Sequence, residues 1–196
     1  MDFDLLFDDL ESQLEAQLSA DAAQQQAEEE RLRAARTSLS DRLAALAEAG
    51  AGRIRLQLRD GSSVELEPGG VGVDWLAGIL PEGSQAVVPI AAVVSLGLSP
   101  AQLRHGRGRM PESPDGAPAP RRVGIGVVLR DLARRRVPVD VVTGPGAVPL
   151  HGTIDRVGAD HLDLAVHERG AVRRASSVRE HRVVALAAVA MIRVPA

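Results

Sequence analysis

The feature that most constrains this chain is that it spells part of itself twice. Val71-Gly72-Val73-Asp74-Trp75-Leu76 returns 86 residues later as Val157-Gly158-Ala159-Asp160-His161-Leu162. The run VVPIAAVVSL from Val87 returns 96 residues later as VVALAAVAMI from Val183, so the second copy carries about ten extra residues, in the ERGAVRRASSVREHR region. Two matches in the same order, each downstream of a helix-like stretch, point to an internal duplication. In a chain of 196 residues the repeat calls for two small similar units with other segments around them.

Within each copy the hydrophobic period is 2, the mark of strands. In RIRLQLRDGSSVELEP, Ile54, Leu56 and Leu58 alternate with polar residues, and Asp60-Gly61 is a strong hairpin signal before Val64 and Leu66. A third strand follows in VGVDWLAGI, then a Pro-Glu-Gly turn, then two strands split at Pro89. Five short strands in under 50 residues predict a small closed barrel. The second copy repeats the order: a helix in VGIGVVLRDLARRR, alternation at Val137, Val139 and Val141, and a turn at Gly144-Pro145-Gly146. Between the copies, Ser99 and Pro100 predict the start of a short helix, and the Pro- and Gly-rich stretch from His105 to Pro120 a flexible linker.

The N-terminal segment has a different period. Phe3, Leu6, Phe7, Leu10, Leu14 and Leu18 recur at helical spacing, and acids fill the other faces. Asp2, Asp4, Asp8 and Asp9 also lie at the positive end of the helix macrodipole, worth a few tenths to about 1 kcal/mol each. The middle, DAAQQQAEEERLRAAR, forms helix but has almost no stripe; the stripe returns at Leu32, Leu39, Leu43 and Leu46 before Gly50 and Gly52. The pattern predicts a long helix or helical hairpin over about 3–49, with a break near Ser38 to Asp41.

Charge is segregated. The net charge is −3, yet residues 1–50 balance at −8 and residues 97–140 at +5. The first 30 residues hold ten acids and no base, the opposite of a phosphate-binding face. Cysteine, lysine, asparagine and tyrosine are absent, so disulfides and thiolate-bound metals are excluded. The arginine, glycine, alanine and valine bias resembles G+C-rich, actinobacterial-type coding. No leader and no apolar run of spanning length is seen, so a cytoplasmic protein with no membrane partner is expected.

A leading helix before a five-stranded, strongly bent antiparallel sheet resembles the Sm-like barrel, one of the small SH3-like barrels. Gly152 opens a bending strand, Val157 to Leu164 is similar to that family's turn and third strand, and the run at 183–189 to its closing strands. The likeness covers about 39–96 and 123–196, and the whole chain is also similar to uncharacterised actinobacterial proteins, which implies no function. The family's RNA-binding asparagine is matched by Asp163 in one copy and Gly78 in the other, and no Arg-Gly or Lys-His type element ends either copy. The nucleotide pocket is therefore not carried over, since an aspartate repels phosphate. Two fused barrels are expected to pair with each other.

Asp74 and Asp160 are expected to accept backbone N–H bonds at a turn and not to act as catalytic acids, no partner acid or base being implied by spacing. Alternation puts Leu162, Leu164 and Val166 inward and His161, Asp163, Ala165 and, by alignment, Trp75 outward, where the tryptophan needs cover from a neighbour or a partner. His151, His161, His167 and His181 are spaced by 10, 6 and 14, which matches no compact ligand motif. The glycine pairs lack a dinucleotide fingerprint, and no Gly-x-Ser-x-Gly elbow is present. Arg130, Arg134, Arg135 and Arg136, with Arg121 and Arg122, form the one basic cluster. It suits a solvated helix face, docking onto an acidic segment, or RNA.

The expectation is an α+β chain divided as follows: acidic helix 1–36, helix and first barrel 37–98, short helix and linker 99–121, and helix and second barrel 122–196. The function expected is a non-enzymatic adaptor without cofactor or metal. Phe3, Leu6, Phe7, Leu10, Leu14 and Trp75 would meet a protein partner or a second copy, whether in a groove or a coiled coil. RNA binding through Arg130, Arg134, Arg135 and Arg136 is the alternative.

Overall fold

The computed structural model describes residues 3–105, 123–170 and 174–195, with side-chain surroundings from residue 17 onward except at 33. Two units are present, residues 1–38 and 39–196. The first is helix α1, Phe3–Arg36. Its 34 residues span about 51 Å at the 1.5 Å rise of an α-helix. Every side chain described along α1 is exposed, including the stripe residues Leu18 and Leu32. The expected break falls at Thr37–Ser38, after which α2 runs Leu39–Glu48 and buries Leu43 and Leu46.

The second unit contains ten strands: β1 (Ile54–Leu58), β2 (Ser63–Val71), β3 (Trp75–Ile79), β4 (Gln85–Pro89), β5 (Val93–Gly97), β6 (Pro138–Val142), β7 (Leu150–Val157), β8 (His161–His167), β9 (Val178–Ala185) and β10 (Met191–Val194). Helix α3 (Pro100–His105) follows β5, and α4 (Ile125–Arg135) precedes β6. At α3, Ser99 Oγ accepts from the Gln102 N–H while Gln102 Oε1 accepts from the Ser99 N–H, a reciprocal cap. Residues 106–122, which include most of the expected linker and Arg121 and Arg122, lie outside the described residues. Among the described residues no helix is long and apolar enough to cross a membrane.

The expectation of two closed barrels is overturned. All ten strands belong to one antiparallel sheet, ordered β5-β1-β2-β3-β4-β10-β6-β7-β8-β9, and the sheet is not closed. Each half keeps the same internal order, its last strand beside its first, as β5 on β1 and β10 on β6. The halves join where β4 pairs with β10, Ile192 opposite Val87, Arg193 opposite Ala86 and Val194 opposite Gln85. The reason is legible in β4 and β10 themselves. Both are apolar at consecutive positions, so both of their faces must be covered, and at the seam one face meets each core.

The shared sheet therefore carries one core on each face. Leu76, Ala86, Val88 and Met191 point into the first core with Leu43 and Leu46 of α2. Their neighbours Trp75, Val87 and Ile192 point into the second with Ile125 and Leu129 of α4. Helix α2 packs on β2 and α4 on β7, each covering its own half. Arg59, after β1, ties the halves further by donating to the carbonyls of Ala187 and Val189.

Candidate functional site

The repeated Val-Gly-x-Asp motif forms the same turn twice. The Gly72 N–H donates to Trp75 O, and the Gly158 N–H to His161 O. The Ile90 N–H donates to Asp74 O at 2.8 Å, and the Leu186 N–H to Asp160 O at 2.7 Å. In both copies the ring after the aspartate folds back over the glycine: a carbon added at Gly72 would strike the Trp75 indole, and one at Gly158 would lie 2.5 Å from His161 Cε1. The glycine is thus required by close approach of a ring.

The two carboxylates differ in surroundings. Asp74 Oδ1 accepts from the Ile125 N–H at 2.7 Å, so it caps the start of α4. Trp75 Nε1–H donates to Val123 O at 2.8 Å, and the indole, 8% exposed, completes the second core. The sequence placed Trp75 away from its own half, and what covers it is the other half. The Asp160 carboxylate is exposed and accepts from His161 Nδ1 at 2.8 Å, and this hydrogen bond is the main reason its carboxyl titrates below the usual aspartate range.

Along β8 the expected alternation holds for Leu162 and Leu164, but Ala165 and His167 are buried as well. The register shifts between Val166 and His167, which turns the histidine inward. There it joins a polar cluster that sequence spacing did not reveal. Asp140 and His151 are cross-strand partners on β6 and β7, and His151 Nδ1 donates to Asp140 Oδ1 at 2.7 Å. Arg169, beyond β8, reaches the other carboxylate oxygen at 2.9 Å. His167 Nδ1 donates to Glu168 O at 3.0 Å, so in the neutral ring Nε2 accepts from the Thr153 hydroxyl, 2.9 Å away. The two imidazoles meet edge to face, centroids 5.2 Å apart.

An aspartate on Nδ1 fixes the tautomer and orientation of the imidazole and leaves the opposite nitrogen as an acceptor in the neutral ring. Here that nitrogen, His151 Nε2, is enclosed without a hydrogen-bond partner among the described residues, and Thr153 is spent on His167. The geometry holds β6, β7 and β8 together. Among the described residues no three histidine or acidic side chains converge as metal ligands. The cue that sequence reading missed was positional: Asp140, His151 and Thr153 sit on one face of neighbouring strands.

The arginines of α4 are exposed, and two of them are engaged. Arg134 donates to Asp131 Oδ1 at 2.6 Å and Arg135 to Oδ2 at 2.8 Å, while Arg130 lies over Gly126. A groove of about 380 Å3 runs beside β5, lined by Arg53, Ile54, Arg55, Glu65, Gly97 and Leu98. Arg55 donates to Glu65 across it at 2.6 Å. The side chains of Phe3, Leu6, Phe7, Leu10 and Leu14 lie outside the described residues, although their backbone is helical. Compared with protein-family models, curated proteins and solved structures, the chain matches none.

Proposed function

We propose that the protein is a non-enzymatic adaptor of the cytoplasm, in which the shared sheet is scaffold and α1 is the element that engages a protein partner or a second copy. The observation that carries this reading is α1 itself. A helix of 34 residues stands as its own unit, and every side chain described along it is exposed. Helices gain most of their stability by packing an apolar face, so the Phe3, Leu6, Phe7, Leu10 and Leu14 stripe needs a surface to cover it. Ten acids in the first 30 residues favour a groove with a basic rim.

The test is Leu6→Asp with Leu10→Asp in the full chain. Association, read by light scattering and pull-down, should be lost while the circular dichroism of the sheet is unchanged. Association equal to that of the unaltered chain would overturn the reading. RNA binding through Arg130, Arg134, Arg135 and Arg136 is the second reading. It has less support, because Asp131 already neutralises part of that cluster.

A further inference from the structure

The duplication gives the groove beside β5 an internal counterpart, and the two places hold different chemistry. In the first half, β1 sets Arg55 opposite Glu65 on β2 and opposite Gly97 on β5. In the second half, β6 sets Asp140 opposite His151 on β7 and opposite Arg193 on β10. The repeat that carries Val87 to Val183 also carries Gly97 to Arg193, so the three positions correspond one to one. Cross-strand partners share a face, so in the second half a long cationic side chain lies over the place beside a buried carboxylate. Its Nε also reaches toward Glu82 Oε1, 3.9 Å away. In the first half Gly97 contributes no side chain, and the same place is the groove of about 380 Å3.

The charges that would receive a guest are inverted between the two. Asp140 makes the second place a host for a cation, whereas Arg53 and Arg55 make the first a host for an anion. Arg55 spends its Nε and Nη2 on a single Glu65 oxygen, at 3.1 and 2.6 Å, which leaves the rest of its fork open to solvent. Arg53 is exposed, and among the described residues no acid pairs with its guanidinium. The carbonyls of Ala51 and Arg53 accept from Gln102 Nε2 at 2.9 and 2.8 Å, so α3 fixes the segment from which Arg53 projects. Ile54 and Leu98 complete the lining with apolar surface.

We propose that the groove beside β5 binds an acidic peptide of a partner protein, a glutamate or aspartate side chain entering over Gly97 to meet Arg53 and Arg55. The arrangement is that of Arg193 beside Asp140 with its charges exchanged. Two arginines against one glutamate leave a single positive charge in the groove, and one carboxylate neutralises it through the planar fork that guanidinium offers. A nucleic-acid strand suits the place less well. Glu65 repels its phosphates, and the lining holds no aromatic ring on which a base could stack. The inference rests on the sheet and is independent of α1.

The test is fluorescence anisotropy on the full chain with a labelled octapeptide of alternating glutamate and serine. The glutamate peptide should bind, and the same peptide with glutamine in place of glutamate should not. Arg53→Ala, at an exposed position, should weaken binding about tenfold, as the loss of one charge-assisted pair requires. Gly97→Glu places a carboxylate of the chain itself over Arg55, as Arg193 lies over Asp140, and should abolish capture of the peptide. Arg134→Ala on α4 should leave the affinity unchanged, which separates the groove from the other arginines. Leu6→Asp with Leu10→Asp should also leave it unchanged, which separates the groove from docking by α1. Equal binding of the glutamine peptide, or binding unaffected by both Arg53→Ala and Gly97→Glu, would overturn the proposal. So would an oligouridylate that displaces the peptide at lower concentration than unlabelled peptide does, since the groove would then select phosphate.

Discussion

Single residues in this protein are explained by what approaches them. Gly72 and Gly158 are glycine because an indole and an imidazole occupy the place of a side chain, and Gly152 because the Ala165 carbonyl does. Asp131 shows the electrostatic side of the same point. Its hydrogen bond from Arg134, aided by Arg135, outweighs desolvation and holds the carboxyl below its ordinary value of 3.8. A carboxyl lowered by folding contributes stability that is complete above its unfolded pKa and is lost as pH falls through its folded one. An NMR titration should place the Asp131 midpoint below 3.8, and Arg134→Ala should move it back up. No movement would mean that the ion pair is absent in solution.

At the scale of elements, the ends are decided by local chemistry and the faces by neighbours. Helix α4 begins under the carboxylate of Asp74, a cap drawn from the other half of the chain. It ends at Arg136, the only described residue other than glycine with positive φ, at 54°. The Arg136 N–H bonds back to Leu132 O and Ala133 O, closing the helix. A left-handed conformation costs a side-chain-bearing residue roughly 1–2 kcal/mol, so Arg136→Gly should raise the unfolding free energy by about 1 kcal/mol. A denaturant midpoint that falls or stays still would contradict this. Strand β8 shows the opposite influence. Its pattern reads as buried on one side, and a register shift at Val166/His167 turns His167 inward to Thr153.

The molecule as a whole is governed by the seam. Ile192 is fully buried between Val87 on β4 and Val141 on β6, so it belongs to both halves at once. Ile192→Ala should cost about 2–5 kcal/mol, the range for truncating a buried aliphatic residue. Because the sheet is continuous, the loss should lower one transition and not split it. The single tryptophan, Trp75, belongs to the first half by sequence and to the second core by packing, so its fluorescence reports the joint state. Fluorescence and far-ultraviolet circular dichroism should shift together. Separate midpoints would show that the halves unfold independently.

The amino-acid pattern by itself determined the elements: the period of 2 from Ile54 onward, the Asp60-Gly61 turn, the two Val-Gly-x-Asp turns, and the helices before each half. These depend on contacts within a few residues, where alternation, glycine and proline act directly. It also marked Trp75 as a residue in need of cover. Closure was a different matter. Whether five strands curl on themselves or join five others depends on which edge meets β4, and a pairing between residues more than 100 apart leaves no local periodic mark. The same applies to Asp140, His151 and Thr153, which become neighbours only when β6 and β7 are laid in register. Tertiary structure decided the partners, because burial on both faces of β4 and β10 is satisfied only when each half covers the other.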